Sequence, residues 1–486
     1  MSTGKFYITT PIFYVNDKPH IGHAYTMVIA DVLARWHRLK GEDVFFLTGT
    51  DEHGEKIEKY AQNAGKSPKE FVDEVVQKFK DAWSKLNISY DYFIRTTDEK
   101  HQKIVQRFVS ELIKKGKIYK GEYEGWYCFY DETFLTEKEL KDGKCPYCNR
   151  PVEKIKEESY FFKLSEFQQT LLDLYDKNRS FLSPNFRAQE IINRVKEGLK
   201  DLSISRTTVK WAVPFPDDDK HFIYVWLDAL LNYLSAIDWP DGDKFKKFWP
   251  ADVHIIGKEI SWFHCVIWPA LLIANDIPTP KMVFSHGWWT VNGKKMSKSF
   301  GNVVDPIEIL SKYKSDELRY FLIREVPIGQ DGDFSEASLK NRINGELLSD
   351  LGNLVSRVLK LSENSKVEIK GDVLIQPIDV DKIDNLIKEI KLTDALDEIM
   401  SFIRRLNKFI DEKEPWKLKG EELGQILYNL LESLRIISIL IYPFMPETAQ
   451  KMADQLGTKI TGIYDCKFKP FDGKVSRGEH LFSPVK

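Results

Sequence analysis

The chain has 486 residues, 42% of them hydrophobic, and its 71 Lys and Arg against 73 Asp and Glu leave a net charge of −2; this suits a globular protein of more than one domain and excludes a protein that holds nucleic acid by overall basicity. The longest apolar run read from the sequence, Ile436 to Tyr442, stops at Pro443, so no membrane association is expected. Five cysteines, an odd number with three close together at 128, 145 and 148, point to a reducing compartment with a metal site in preference to a disulfide framework, and the absence of a leader ahead of the first strand makes the expected location cytoplasmic.

Lys5 to Thr10 reads as a strand, Pro11 to Pro19 as a loop, and His20 to Ala34 as a helix whose start Pro19 marks. A loop opening into a helix N-terminus presents free backbone N–H groups and the positive end of the helix dipole, a setting for an anion. His20 and His23, three residues apart, are expected on one face of the first turn. Gly22 between them, lacking a Cβ, lets a flat group approach the backbone. Imidazoles placed there can donate to a phosphate as its charge shifts in a transition state. Taken alone, the same four residues also describe surface histidines at the start of an ordinary helix.

Val44 to Leu47 reads as a second strand running into Thr48-Gly49-Thr50-Asp51-Glu52-His53-Gly54, Pro68 to Leu86 as a helix, and Tyr92 to Ile94 as a third strand. The strand pattern resumes at Val253 to Ile256 and Met282 to Ser285. This alternation predicts an α/β fold: a split, Rossmann-type, doubly wound parallel sheet with ligands at the carboxyl ends of its strands. Inside the interruption, Cys128-Phe129-Tyr130-Asp131 and Cys145-Pro146-Tyr147-Cys148 bring four ligands on two short turns, the spacing of a tetrahedral structural site for which Zn2+ is the expected ion; Asp131 makes that set less soft than four thiolates. Beyond the last strand, Asn292-Gly293 and Gly301 bracket the basic run Lys295-Met296-Ser297-Lys298-Ser299. Lys295 and Lys298 on such a loop can stabilise a departing polyphosphate. From Asp331 the chain becomes a connector and then a helical bundle, with Ala395, Ile399, Phe402, Leu406 and Ile410 on one helical period and Ile426, Leu430, Leu434 and Ile437 on another.

His20-Ile21-Gly22-His23 followed by Lys295-Met296-Ser297-Lys298-Ser299 resembles the class I aminoacyl-tRNA synthetases, and the residues around these motifs resemble the methionyl-tRNA synthetases among them, over essentially the whole chain. The resemblance implies activation of methionine with ATP and Mg2+ to the adenylate, then transfer to the tRNA for methionine, initiator and elongator. It implies catalytic roles for His20, His23, Lys295 and Lys298, and ATP contacts from these four with Gly22, Gly257, Lys258 and Glu259. A methionine site of Pro11, Ile12, Tyr14, Asp51, Trp226, Ala229, Tyr233, Ile260 and His264 is also implied. In it Asp51 holds the ammonium, Tyr14 offers its hydroxyl to the thioether sulfur, Trp226, Ala229 and Tyr233 share a helix face, and His264 with Ile260 faces the substrate side chain. Cys128, Asp131, Cys145 and Cys148 correspond to the family's zinc knuckle. Asn353, Arg357 and Trp416 correspond to the anticodon-binding residues, with the chemistry to read and stack on splayed bases.

The implied domains are 1–117 and 223–290 for the two halves of the catalytic sheet, 118–222 for the insertion with its knuckle in 125–160, 291–345 for the lysine loop and stem contact, and 346–486 for the all-α anticodon domain. With no further domain read after the bundle, a monomer is expected. Two readings stand beside this one. Another class I enzyme is the nearer, although the leucine, isoleucine and valine enzymes carry a large editing insertion not seen here. A non-catalytic tRNA-binding protein is the other, against which the intact histidines and lysines argue.

Overall fold

Alternating residues on Lys5–Tyr14 (β1) face opposite sides of a central sheet, and both sides are apolar: Phe6 and Ile8 enter one hydrophobic core while Tyr7 enters another. A strand covered on both faces is the mark of a parallel sheet wrapped by helices. The structure, a computed structural model, describes residues 4–146, 148–296, 301–363 and 368–486. Around β1 lie Asp43–Asp51 (β2), Tyr92–Arg95 (β3), Leu182–Ser183 (β4), Val253–Gly257 (β5) and Val283–His286 (β6), in the spatial order β3-β2-β1-β5-β6-β4 with every pairing parallel. The order reverses between β1 and β5, so the crevice beyond their carboxyl ends is where a ligand is received.

Three local differences from the sequence reading matter for that crevice. β1 continues past Thr10 to Tyr14, so Pro11–Tyr14 is strand and not loop. Its pairing with β2 shifts register between Thr9 and Ile12, where Pro11 has no N–H to give the ladder. β2 likewise runs on to Asp51, which pairs with Tyr14. The edge strand β4 comes from within the insertion and went unread, because two residues carry no periodicity.

The helix Ile21–Leu39 (α1) packs its buried face on β1 and β2. The insertion also carries an antiparallel sheet of Thr133–Leu135, Ile118–Cys128, Glu153–Phe162 and Leu202–Ser203, in that order, and the helices Gln168–Lys177 and Asn185–Lys196. Past β6, Trp289–Val291 pairs with Lys294–Lys295 and with Gly332–Phe334.

The C-terminal helices, among them Asn353–Glu363, Leu392–Lys413, Gly420–Ile441 and Pro446–Leu456, share one continuous apolar core with α1 and its side of the sheet. Arg319 locks this junction: fully buried, it pairs with Asp31 of α1 at 2.7 Å and donates to the carbonyls of Leu86, Pro443 and Phe444. Contrary to the sequence reading, one helix among the described residues, Gly420–Ile441, is long and apolar enough to cross a membrane, and 94% of its apolar window is buried inside the protein. Glu432 and Arg435 interrupt that run in the sequence, yet both are buried as a mutual ion pair at 2.8 Å, which is how a core helix tolerates them.

Candidate active site

The helix N-terminus at α1 is built by the histidines themselves. His20 is the N-cap and not part of the first turn: its Nδ1 accepts from the Gly22 N–H at 3.1 Å, and Nδ1 of His23 accepts from the His20 N–H at 3.3 Å. This reciprocal capping fixes both tautomers, because an Nδ1 that accepts carries no proton, so each ring presents an Nε2–H donor. The rings stack at 3.6 Å. Burial, with His20 and His286 nearby, holds the His23 pKa well below its usual value and keeps the ring neutral. Gly22 has a use within the cap as well: a Cβ there would lie 2.9 Å from the His20 ring, so glycine is what lets that ring fold onto the turn.

Asp51 closes β2 in a setting unusual for a carboxylate. It is 8% exposed, and its Oδ1 has no hydrogen-bond partner among the described residues. Burial first, then the charges of Asp228 and Glu132, push its pKa well above the ordinary range. Such a group is satisfied by a cation brought to it. Asp228, between Trp226 and Ala229, accepts from His53 at 2.7 Å and His101 at 2.8 Å; burial would raise its pKa, but the two histidines outweigh that and hold it at about 2. Sequence reading missed Asp228, His53 and His101, although a buried-looking Asp inside an apolar run at Trp226-Leu227-Asp228-Ala229 was a signal.

Trp226, Ala229 and Tyr233 do not share one helix. Val225–Leu230 ends before Asn232–Ser235 begins, and Tyr233 is fully buried in the second turn. The Trp226 indole stacks on Phe263 at 3.8 Å. His264, in a π-helical turn at Phe263–Ile267, uses both ring nitrogens internally: Nδ1–H donates to the Ile260 carbonyl at 3.1 Å, leaving Nε2 to accept from the Tyr233 hydroxyl at 2.7 Å. Tyr233 also lies against His254, 4.2 Å away, so these rings make a rigid wall. Tyr14 departs from its expected role as well, since its hydroxyl proton goes to Glu132 Oε1 at 3.1 Å and not to a thioether sulfur.

Burial lowers the His264 pKa from 6.5 to about 4. The unfolded chain therefore binds this proton first, and stability contributed by neutral His264 is lost as pH falls from 6.5 towards 4, by about 3 kcal/mol in all. Urea midpoints measured across this range should fall more steeply for the wild type than for His264→Gln; parallel curves would count against it.

At the end of β5, Gly257 makes room for the Glu259 carboxylate, which would approach a Cβ there to 2.4 Å, and Glu259 accepts from the Trp288 indole at 2.6 Å. Lys258 bonds both oxygens of Asp331 at 2.6 and 2.7 Å and lies over the Trp288 ring. The lysine loop returns to α1 at both flanks. Met296 approaches Gly22, and the Val304 carbonyl accepts from the Ile21 N–H at 2.9 Å. The Lys295 backbone is in a strand. The Lys295 side chain and the whole of Lys298 lie outside the described residues.

In the insertion, the ligand atoms of Cys128, Asp131, Cys145 and Cys148 all lie within 4.8 Å of one another. Cys128 and Cys148 Sγ are 3.5 Å apart and Cys145 Sγ is 3.0 Å from Asp131. Tetrahedral zinc with Zn–S near 2.3 Å needs sulfur separations of about 3.8 Å, so the cluster fits such an ion. In the bundle, Asn353 is exposed and Arg357 pairs with Asp411 at 2.5 Å, near the end of Leu392–Lys413. Trp416 follows that helix and is 55% exposed, an indole open to solvent.

The sequence pattern of the family described as "tRNA synthetases class I (M)" matches residues 6–154 and 149–359. The chain is 51% identical to the methionine–tRNA ligase of Caldanaerobacter subterraneus subsp. tengcongensis over 99% of its own length and 79% of that protein's. It is 48% identical to that of Thermotoga maritima over 92% and 74%. Among solved structures, Mycobacterium tuberculosis methionyl-tRNA synthetase in complex with methionyl-adenylate superposes with a TM-score of 0.94 at 37% identity, covering 99% of this chain and 100% of that one. A parallel sheet with its crevice at the β1–β5 switch, a histidine-capped helix and these similarities together place the chain in the methionyl-tRNA synthetase family of class I aminoacyl-tRNA synthetases.

Proposed function

We propose that this chain is a methionine–tRNA ligase: it activates L-methionine with ATP to methionyl-adenylate and pyrophosphate, then transfers methionine to the 3′-terminal ribose of the tRNA for methionine. The observation that carries this reading is Asp51, a buried carboxylate with an unpartnered oxygen at the end of β2, close enough to Asp228 of the Trp226-Ala229 turn for the two charges to act on each other. We assign Asp51 to the substrate ammonium and Trp226, Ala229 and the His264-braced Tyr233 to the side chain, with Pro11, Ile12 and Ile260 as further wall. The substrate carboxylate attacks the α-phosphorus, the bond to pyrophosphate breaks, and no protein nucleophile is required. Nε2–H of His20 and of His23 stabilises the charge that moves onto the α-phosphate, and Lys295 and Lys298 neutralise the leaving pyrophosphate. The ribose hydroxyl then attacks the adenylate carbonyl and AMP leaves.

ATP is used with Mg2+, which supplies charge neutralisation of the triphosphate. Gly257, Lys258 and Glu259 hold the adenosine. Zn2+ in the Cys128, Asp131, Cys145 and Cys148 cluster has a structural role, and 346–486 forms the anticodon domain.

ATP–pyrophosphate exchange without tRNA, run with each standard amino acid in turn, tests the reading. Exchange with methionine alone supports it; exchange with another amino acid alone, or with none, overturns it. Trp416→Ala is expected to leave this exchange unchanged while raising the KM for tRNA by about 10- to 100-fold, the loss of one base stacked on an aromatic ring. Unaltered aminoacylation in that variant would remove Trp416 from the tRNA contact.

A further inference from the structure

We propose that Glu132, carried on the knuckle of the insertion, is a positioning residue for the substrate ammonium: by taking the hydroxyl proton of Tyr14 it leaves that oxygen as an acceptor beside Asp51. The proposal rests on the reading of Asp51 and Tyr14 as part of the methionine site.

Glu132 contacts residues in or next to three of the four chain segments assigned to that site. Its Oε1 accepts from the Tyr14 hydroxyl at 3.1 Å, at the end of β1, and from the Lys56 N–H at 3.0 Å, in the helix that follows Asp51. Its backbone carbonyl accepts from the Tyr224 hydroxyl at 2.7 Å, two residues before Trp226. The cradle is cut to a carboxylate. A Cβ on Gly54 would lie 2.6 and 2.7 Å from its two oxygens and 2.7 Å from the Tyr14 hydroxyl.

Glu132 is 6% exposed and adopts φ +45°, a left-handed backbone that L residues rarely hold unless their surroundings impose it. The surroundings are the docked tip of the insertion. Lys56 bonds the Tyr130 carbonyl at 3.0 Å and sits 3.7 Å over its ring, while Lys59 sits 3.5 Å from the Phe129 ring. Cys128 and Asp131, half of the candidate metal cluster, alternate with these docking residues.

Docking alone would be served by an apolar residue at far lower desolvation cost. A carboxylate makes physical sense there because Tyr14 and Asp51 are register partners in the sheet, and Glu132 both accepts from the neutral Tyr14 hydroxyl and adds negative potential at Asp51. Glu132 and Asp228 thus both add negative potential at Asp51, and a substrate ammonium is a cation that suits it. Nothing local marked Glu132 in the sequence, where it is simply the residue after a knuckle ligand.

The test is calorimetric binding of L-methionine, and of its desamino analogue, to the full chain without ATP. Glu132→Gln keeps size and an acceptor oxygen but loses the charge, and should weaken methionine about tenfold while leaving the desamino analogue within twofold. Adding Tyr14→Phe to Glu132→Gln should cost less than the two single effects combined. Equal weakening of both ligands would reduce Glu132 to a docking residue and overturn the proposal, as would an unchanged methionine affinity. A wild-type chain that does not bind methionine would overturn the reading of the site itself, which separates the two failures.

Discussion

Asp51→Asn is expected to lower kcat/KM for methionine by about 100- to 1000-fold, because it strips a buried ammonium of its counter-charge, a loss of about 3–4 kcal/mol. The same substitution should raise the melting temperature of the ligand-free protein. Burial and two neighbouring acids raise the Asp51 pKa above its unfolded value, so the folded state retains this proton to higher pH than the unfolded state does. Ionised Asp51 consequently destabilises the fold at neutral pH, and that cost disappears as pH falls through the raised folded value towards the unfolded one near 3.9. Stability and binding thus pull in opposite directions at one residue, as expected of a carboxylate retained for a ligand. Thermal scans with and without saturating methionine check both halves: the ligand should stabilise the wild type far more than Asp51→Asn. A variant that is less stable and still activates methionine would refute the assignment.

His20→Asn should cut the rate of adenylate formation about 100- to 1000-fold, the usual consequence of losing one donor aimed at developing charge. Asparagine is a good N-cap and can still accept from the Gly22 N–H, so α1 should stay intact and the melting temperature near that of the wild type. What asparagine does not supply is the Nε2–H tautomer that the capping hydrogen bond fixes on the imidazole. A transition-state interaction appears in kcat, so KM for methionine and ATP should move little. ATP–pyrophosphate exchange kinetics decide this. A change confined to KM would mean that His20 only binds ATP in its ground state.

Much of this site could be read from near neighbours in the chain. His20 and His23 were visible because a helix N-terminus and its cap are contained within a few residues, although the sequence could not distinguish a first turn from a cap. The metal cluster was visible because its ligands come in two short pairs. The exposure of Trp416 is not legible in the sequence, since whether a tryptophan is covered depends on neighbours far along the chain; it lies at the turn that follows Glu414–Pro415 and is open to solvent. Tyr14 shows the same limit: its hydrogen bond is not legible in the sequence, because the acceptor lies 118 residues away.

The sequence by itself determined the strand-helix alternation of the split α/β sheet apart from its edge strand β4, the helical C-terminal region and the motifs near strand and helix ends, because periodicity, turn residues and capping act over a few residues. The tertiary structure alone decided the charges and rigidity of the site. Glu132 enters beside Tyr14, His53 and His101 converge on Asp228, His264 is spent on bracing Tyr233, and Asp51 is left with an unpartnered oxygen. Each of these depends on burial and on partners brought together by packing, and burial is what makes a carboxylate wait for a cation.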